Sequence, residues 1–352
     1  MRRLLTILAA LLWVGGCGRS ELLSPTVGQG TQDPDEPPAS TGGAGLGPIG
    51  TGGTAGNKER PHVIVEFDVP TDRSQPRAIA AGPDGNLWFT EYGGDNVARI
   101  TPAGQITEFP VPTQEAGPFG IAAGRDGKLW FTEVLARRIA SVDADGKVVE
   151  QLLDNAAGPP KSIAVGPDSR LWFTGYRDDS LGRIAGGTVQ AVPCGFAGVW
   201  LGLATGPDGN LWLTENAADY IARVGLDRPP AWYRLPGDNS RPWGITAGPD
   251  GNLWFTEYAG HRIGRISPAG EITEFPIPGG HSYPMGIAAG PDGNLWFTEN
   301  YAGNIGRISP SGELSEFDLP NPHSDPAGIV AGPDGNLWFT EEVGNKIGRI
   351  SP

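Results

Sequence analysis

Cysteine is almost absent from this chain of 352 residues, which holds only Cys17 and Cys194. If Cys17 is used in processing, as argued below, no intrachain disulfide is available, even in an oxidising compartment. The folded part must therefore be held together by burial of apolar side chains, and about 290 residues are ample for that.

Basic residues are also scarce, since 26 Lys and Arg stand against 40 Asp and Glu, a formal net charge of −14. Removal of a leader that contains Arg2 and Arg3 brings this charge to −16. Such a balance argues against nucleic acid and against anionic membrane surfaces as partners.

Long apolar runs are missing except at the N-terminus, where residues 1–14 read MRRLLTILAALLWV. Two arginines followed by a short apolar stretch are typical of a signal peptide rather than of a membrane span. The stretch leads into Val14-Gly15-Gly16-Cys17, which resembles a bacterial lipobox. That resemblance implies cleavage before Cys17 and lipid modification of the cysteine. The alternative is an ordinary signal peptide, or a short anchor, with an incidental cysteine.

The lipobox resemblance predicts an exported protein that is anchored by lipid to the bacterial cell envelope. Gly18 follows the cysteine rather than aspartate, which by the same resemblance indicates the outer membrane if the cell is Gram-negative. Residues 18–60 are rich in Gly, Pro, Ser and Thr and hold little that could form a core, so we expect a disordered tether. Such a tether has an r.m.s. reach of roughly 35 Å. The sequence therefore divides into three segments: a signal peptide and lipobox at residues 1–17, a disordered tether at residues 18–60, and a folded domain at residues 61–352.

A repeat of about 42 residues organises the folded domain. Leu-Trp-(Phe/Leu) recurs seven times, and its tryptophans are Trp88, Trp130, Trp172, Trp212, Trp254, Trp296 and Trp338. Each repeat contains four short apolar runs, which we name strands A to D, separated by Gly- and Pro-rich turns. This period and pattern predict an all-β, seven-bladed β-propeller of four-stranded blades.

The two ends of the domain predict how the ring closes. The last repeat stops after strand C, at Ile347–Ser351, whereas residues 63–70 before the first repeat match the strand D pattern. We therefore expect this N-terminal D strand to complete the last blade, which removes exposed sheet edges. The A–B and C–D hairpins share one edge of each blade. The B–C and D–A connections form the opposite edge, named here the long-loop face, where ligand sites are expected.

A glutamate recurs at the end of the WFTE motif and an arginine recurs in the IGRI motif, so each should form a ring of side chains around the propeller. Strands B and C are neighbours, so we expect cross-strand Glu–Arg ion pairs. The exceptions, Gly175 and Ser141, fall in different blades, so pairing within one blade is not the whole arrangement. The turn aspartates, which include Asp84 and Asp250, are expected to shape turns rather than bind ligands.

The repeat GPDGNLWFTE…IGRI(S/T)P.G.ITEF resembles the virginiamycin B lyase (streptogramin B lyase) family over residues 63–352. The resemblance implies opening of a cyclic depsipeptide by elimination, with a histidine base and a Mg²⁺ ion on two carboxylates. It places the base on Ala327 and the metal carboxylates on Asp325 and Glu342. It places a substrate-binding histidine on Met285 and an aromatic substrate contact on Arg77. Both histidines of the family are therefore absent, while two acidic residues are present.

Other histidines could substitute for the missing base. His261, His281 and His323 all fall on the long-loop face, and with Asp325, Glu341 and Glu342 they could crowd one sector of it. One interpretation is that they are loop histidines on a solvated edge. The alternatives are a relocated base, for which His323 is the leading substitute, and a transition-metal site.

Three functions remain open from the sequence. The first is a lipid-anchored, non-enzymatic propeller, monomeric, that binds an unidentified peptide, glycan or protein at its long-loop face. The second is a Mg²⁺-dependent lyase of streptogramin B-type depsipeptides that uses a relocated base. The third is an assembly lipoprotein whose propeller serves as a scaffold.

Overall fold

Twenty-eight short strands, each of four to six residues, make up the regular structure of the described residues. A computed structural model describes residues 62–153, 158–175, 180–186, 188–193, 198–226 and 229–352. The predicted signal peptide and lipobox (1–17), the tether (18–60) and Cys194 lie outside these ranges. No helix in the described ranges is long and apolar enough to cross a membrane.

The strands form seven separate four-stranded antiparallel sheets, as predicted. Blade 1 holds β2 (Pro76–Ala81), β3 (Leu87–Glu91), β4 (Asn96–Ile100) and β5 (Ile106–Pro110). Blade 2 holds β6 (Pro118–Ala123), β7 (Leu129–Glu133), β8 (Arg138–Val142) and β9 (Val148–Leu152). Blade 3 holds β10 (Pro160–Val165), β11 (Leu171–Gly175), β12 (Ser180–Ala185) and β13 (Thr188–Pro193). Blade 4 holds β14 (Trp200–Thr205), β15 (Leu211–Glu215), β16 (Tyr220–Val224) and β17 (Ala231–Arg234).

The remaining blades repeat this order. Blade 5 holds β18 (Pro242–Ala247), β19 (Leu253–Glu257), β20 (Arg262–Ile266) and β21 (Ile272–Pro276). Blade 6 holds β22 (Pro284–Ala289), β23 (Leu295–Glu299), β24 (Asn304–Ile308) and β25 (Leu314–Asp318). Blade 7 holds β26 (Pro326–Ala331), β27 (Leu337–Glu341), β28 (Lys346–Ile350) and β1 (Ile64–Asp68).

Ring closure by the N-terminal strand is confirmed. β1 pairs antiparallel with β28, from Ile64 opposite Ile350 to Asp68 opposite Lys346. The Asn345 side chain reinforces this joint, because its Nδ2 donates to the carbonyl of Val69 (3.1 Å) and its Oδ1 accepts from the amide of Ser74 (2.8 Å). β2 also lies against β26, so the inner A strands form an unbroken circle.

The core lies between neighbouring blades rather than inside one sheet. The strand-B tryptophans pack against the strand-B leucine and phenylalanine of the next blade, as Trp338 does against Leu87 and Phe89. In blade 4 a second leucine, Leu213, replaces the phenylalanine that Trp172 would contact. The indole Nε1 in turn donates to the A–B turn aspartate of its own blade, as from Trp254 to Asp250 at 3.0 Å. The aspartates therefore shape the turns, as predicted, and in addition accept a hydrogen bond from the indole, which the sequence did not predict.

The predicted Glu–Arg pairs are wrong, because the strand register separates the two residues. The arginine of strand C lies opposite the tryptophan, as Arg265 does opposite Trp254, while the glutamate Glu257 lies opposite Arg262. Arg265 covers the Trp254 ring at 5.5 Å and donates to the carbonyl of Pro310 in the next blade at 3.0 Å. Arg99, Arg223 and Arg349 make the equivalent bond, so these arginines join neighbouring blades on the face formed by the A–B and C–D turns.

The strand-B glutamates are instead buried within the blades, beside a second carboxylate from strand D in several of them. Burial raises the pKa of Glu91, Glu133 and Glu299 to about 8. A neighbouring carboxylate adds to the effect in each case, as Glu316 and Asp318 both raise the pKa of Glu299 further. The folded protein therefore binds protons that the unfolded chain releases near its ordinary pKa of 4.5.

Removal of residues 61–70 should expose the edge of β28 and open the core at Trp338. We expect a loss of about 10 °C or more in melting temperature, together with aggregation. Thermal unfolding and size-exclusion chromatography measure both effects, and deletion of residues 51–60 is the control of equal length. A truncated protein as soluble and as heat-resistant as the parent would refute closure by β1.

The free energy of unfolding should fall as pH rises from about 5 to about 8.5. At low pH these buried glutamates are protonated in the folded state and stabilise it, and this contribution is lost as they ionise. Glu299→Gln, which cannot ionise, should reduce this fall by about 5 °C in melting temperature at the alkaline end. Glu313→Gln, at an exposed position, is the matched control. The same slope in Glu299→Gln and the parent would contradict the assignment for that carboxyl.

Candidate functional site

The second residue of each A strand forms a ring around the channel axis at the long-loop face. This set is named the mouth ring and consists of Arg77, Phe119, Lys161, Leu201, Trp243, Met285 and Ala327. Beneath it lies a cavity of about 280 Å³, lined by A-strand residues from all seven blades. All seven blades can therefore contact a single ligand at the mouth ring.

Buried threonines of strand B hold the mouth ring in position. The hydroxyl of Thr340 donates to the carbonyl of Arg77 at 2.8 Å, across the closure of the ring. Thr298 donates in the same way to the carbonyl of Ala327, at 2.7 Å. Glycines that follow the mouth-ring residues keep the strands close, since a Cβ at Gly328 would lie 2.7 Å from the Arg77 carbonyl oxygen.

Arg77 reaches from blade 1 across the mouth. Its Nη1 lies 2.5 Å from Oε1 of Glu342 in blade 7. Its guanidinium carbon also lies 4.7 Å from the ring centroid of Phe119 and 6.0 Å from that of Trp243. One side chain therefore contacts blades 2, 5 and 7, and cation–π attraction adds to the ion pair.

The two acidic residues of the mouth lie side by side on blade 7. The amide of Glu342 donates to the carbonyl of Asp325 at 3.1 Å. Burial raises the pKa of Glu342, the Asp325 carboxylate raises it further, and the Arg77 guanidinium opposes both. Burial also raises the pKa of Asp325, which the His323 side chain opposes.

The second cation of the mouth is Lys161 in blade 3. Its Nζ lies 5.0 Å from the ring centroid of Phe119, so this ring is contacted by both Lys161 and Arg77. Burial lowers the pKa of Lys161 to about 8, with a further contribution from the Arg77 charge. The two cations thus lie on blades 1 and 3, on either side of Phe119 in blade 2, and the carboxylates lie on blade 7.

Comparison with known proteins assigns the chain to a family. The model of the virginiamycin B lyase family matches residues 50–197 and 186–352. The chain belongs to this family.

Three relatives are similar to it. A streptogramin B lyase structure is 34% identical with a TM-score of 0.78, covering 82% of this chain and 97% of its own. A catalytically inactive histidine-to-alanine variant of virginiamycin B lyase from Staphylococcus aureus, with quinupristin, is 32% identical with a TM-score of 0.78, covering 83% of this chain and 99% of its own. The virginiamycin B lyase of Saccharopolyspora erythraea is 44% identical over 50 residues, which span 14% of this chain and only 17% of that enzyme.

The residues that the family resemblance singles out converge on the mouth. Arg77, Met285 and Ala327 all belong to the mouth ring, and the latter two are buried. Asp325 and Glu342 lie on the D–A and B–C connections just above it. Glu341, by contrast, is buried inside blade 7 with Lys346 and Glu66 and does not join this sector.

None of the three histidines belongs to the mouth ring. His323 and His281 are exposed. His261 has a structural contact, since its Nδ1 accepts from the amide of Tyr283 at 3.3 Å, as Asp219 accepts from Arg241 in the preceding blade. Within the described ranges, no group of three or more His, Cys, Asp or Glu side chains could hold a metal ion.

The acidic residues of this mouth do not fit the Mg²⁺ ion of the family. Mg²⁺ requires oxygen ligands in near-octahedral geometry and commonly takes one or two carboxylates with waters. Here Arg77 already neutralises Glu342 at 2.5 Å, which leaves Asp325 as the other carboxylate. A metal ion would have to displace a guanidinium that is also held by Phe119 and Trp243.

Sequence reasoning missed a line of aromatic side chains, named here the aromatic strip, that leads outward from the mouth. Ring centroids are 5.5 Å apart between Trp243 and Tyr258, 5.0 Å between Tyr258 and Tyr283, and 5.5 Å between Tyr283 and Tyr301. Tyr301 at its outer end is 70% exposed. Alignment of the seven repeats would have shown Trp243 at the mouth-ring position, but the path to Tyr301 depends on contacts between blades.

Proposed function

We propose that this protein is a non-enzymatic, lipid-anchored propeller of the cell envelope that binds a ligand at its long-loop face. The observation that supports this function most directly is the Arg77–Glu342 ion pair, which puts an internal cation where the family uses a metal ion. The lipid anchor rests on the lipobox-like sequence that ends at Cys17.

The lost base supports the same proposal. Elimination requires a group that can accept a carbon-bound proton within hydrogen-bond reach. The resemblance places that group on Ala327, whose methyl accepts no proton and is 4% exposed. The Staphylococcus aureus relative with a histidine-to-alanine change is described as catalytically inactive, which agrees with this reasoning.

Binding remains well supported by the geometry of the face. The mouth combines cations, carboxylates and aromatic rings from different blades above a cavity of about 280 Å³. Aromatic and cationic side chains that converge on a concave apolar site are typical of ligand-binding surfaces.

The unmodified protein should not open quinupristin, with or without Mg²⁺, because no base reaches the proton. The combined variant Ala327→His, Met285→His and Arg77→Tyr supplies both imidazoles and frees Glu342 from its guanidinium. Activity should appear in it only with Mg²⁺, and a matched variant that adds Glu342→Gln should lose it. Ring opening is followed by mass spectrometry. Turnover by the unmodified protein that His323→Ala abolishes would establish the lyase with a relocated base instead.

A photo-crosslinking residue placed at Tyr301 should capture an envelope component in cells, because this position is exposed at the end of the aromatic strip. The same residue at Ala269, exposed on a C–D turn of the opposite face, is the control. Equal capture at both positions, or at neither, would argue against a ligand site on the long-loop face.

A further inference from the structure

The mouth ring carries both of its cations on one side and only uncharged, apolar side chains on the other. Blades 1 to 3 contribute Arg77, Phe119 and Lys161, whereas blades 4 to 7 contribute Leu201, Trp243, Met285 and Ala327. A ligand in this mouth must therefore present two different ends.

We propose that the mouth binds the C-terminal end of a peptide whose last residue is aromatic, with the carboxylate at Lys161 and Arg77 and the preceding residues along the aromatic strip. This inference rests on the proposed binding function and specifies its ligand.

The cations determine where the carboxylate lies. Lys161 and Arg77 contact the same Phe119 ring, at 5.0 and 4.7 Å from its centroid. Arg77 is held by Glu342 through Nη1, and a guanidinium fork carries five N–H donors, so further donors remain for a second carboxylate. Asp325 and Glu342 would repel a carboxylate on blade 7, so the anionic end belongs on the side of blades 1 to 3.

The burial of Lys161 favours binding of an anion next to its ammonium group. The same burial that lowers the pKa of Lys161 to about 8 disfavours its ammonium form, and the Arg77 charge adds to that effect. A bound carboxylate offsets both contributions, and charge-assisted hydrogen bonds are the stronger class.

The apolar side determines what is attached to the carboxylate. The cavity walls include Leu201, Met285 and Ala327, which suit an apolar ring and offer little to the hydroxyls of a sugar. The aromatic strip continues outward for three steps of 5.0 to 5.5 Å. An extended chain advances about 3.3 Å per residue, so the strip matches a segment of several residues rather than a single amino acid. Tyr and Trp are also the residues enriched at the energetic centres of protein interfaces.

The test compares two probes, the peptide acetyl-Gly-Ala-Gly-Phe as free acid and as C-terminal amide, by isothermal titration calorimetry on the full chain in detergent. The free acid should bind about tenfold more tightly, equivalent to one charge-assisted hydrogen bond. Lys161→Gln should remove this preference, and Lys161→Arg should keep it. Trp243→Ala should weaken acid and amide alike and leave their ratio unchanged.

Lys147→Gln, an exposed charge loss on the opposite face of the neighbouring blade, is the matched control and should bind as the parent does. Equal binding of acid and amide, or binding of neither, would overturn the proposal. Binding of an acidic oligosaccharide that Lys161→Gln abolishes, without peptide binding, would overturn it in favour of a glycan. After either result, capture of an envelope component by the crosslinking residue at Tyr301 would still support the proposed binding function, because that experiment does not depend on the peptide.

Discussion

The buried threonine hydroxyl of strand B is the contact on which the mouth depends. In blade 5, Thr256 accepts from the amide of Gly244 in its own A strand at 2.9 Å and donates to the carbonyl of Met285 in the next blade at 2.8 Å. One side chain thereby fixes the spacing of two inner strands. The same bond recurs at the carbonyls of Arg77, Phe119, Lys161, Trp243 and Ala327. It sets the position of these mouth-ring residues from the backbone, whatever side chain each carries.

This arrangement separates stability from specificity. Strand B is nearly identical in every repeat because its tryptophan, threonine and glutamate are buried between or within blades. The mouth-ring position, by contrast, carries a different residue in each of the seven blades. Since the backbone carbonyl rather than the side chain is what the neighbouring blade binds, this position is free to differ, and chemical function can reside there.

The same separation explains what the sequence could and could not predict. The period, the turns and the unmatched ends depend on local chemistry and on counting strands, so the seven blades and the closing strand followed from them. The Glu–Arg pairs failed because the register decides the partner, and Arg265 lies opposite Trp254 rather than Glu257. The reach of Arg77 to blades 2, 5 and 7 was also beyond prediction, because it depends on the width of the mouth and on a long flexible side chain.

Charge balance at blade 7 links two residues that differ from the pattern of the family, Arg77 and Ala327. A buried carboxylate such as Glu342 is costly unless a cation lies next to it. In the site that the family resemblance implies, that cation is a metal ion. Here Arg77, at the position where the resemblance implies an aromatic residue, provides it from within the chain. Once the guanidinium neutralises Glu342, the mouth no longer requires a metal ion for its stability, and the methyl of Ala327 leaves no proton acceptor at the mouth-ring position of blade 7. Both changes agree with the proposed function, since each replaces a group that polarisation of an ester would need by one that can only contact a ligand.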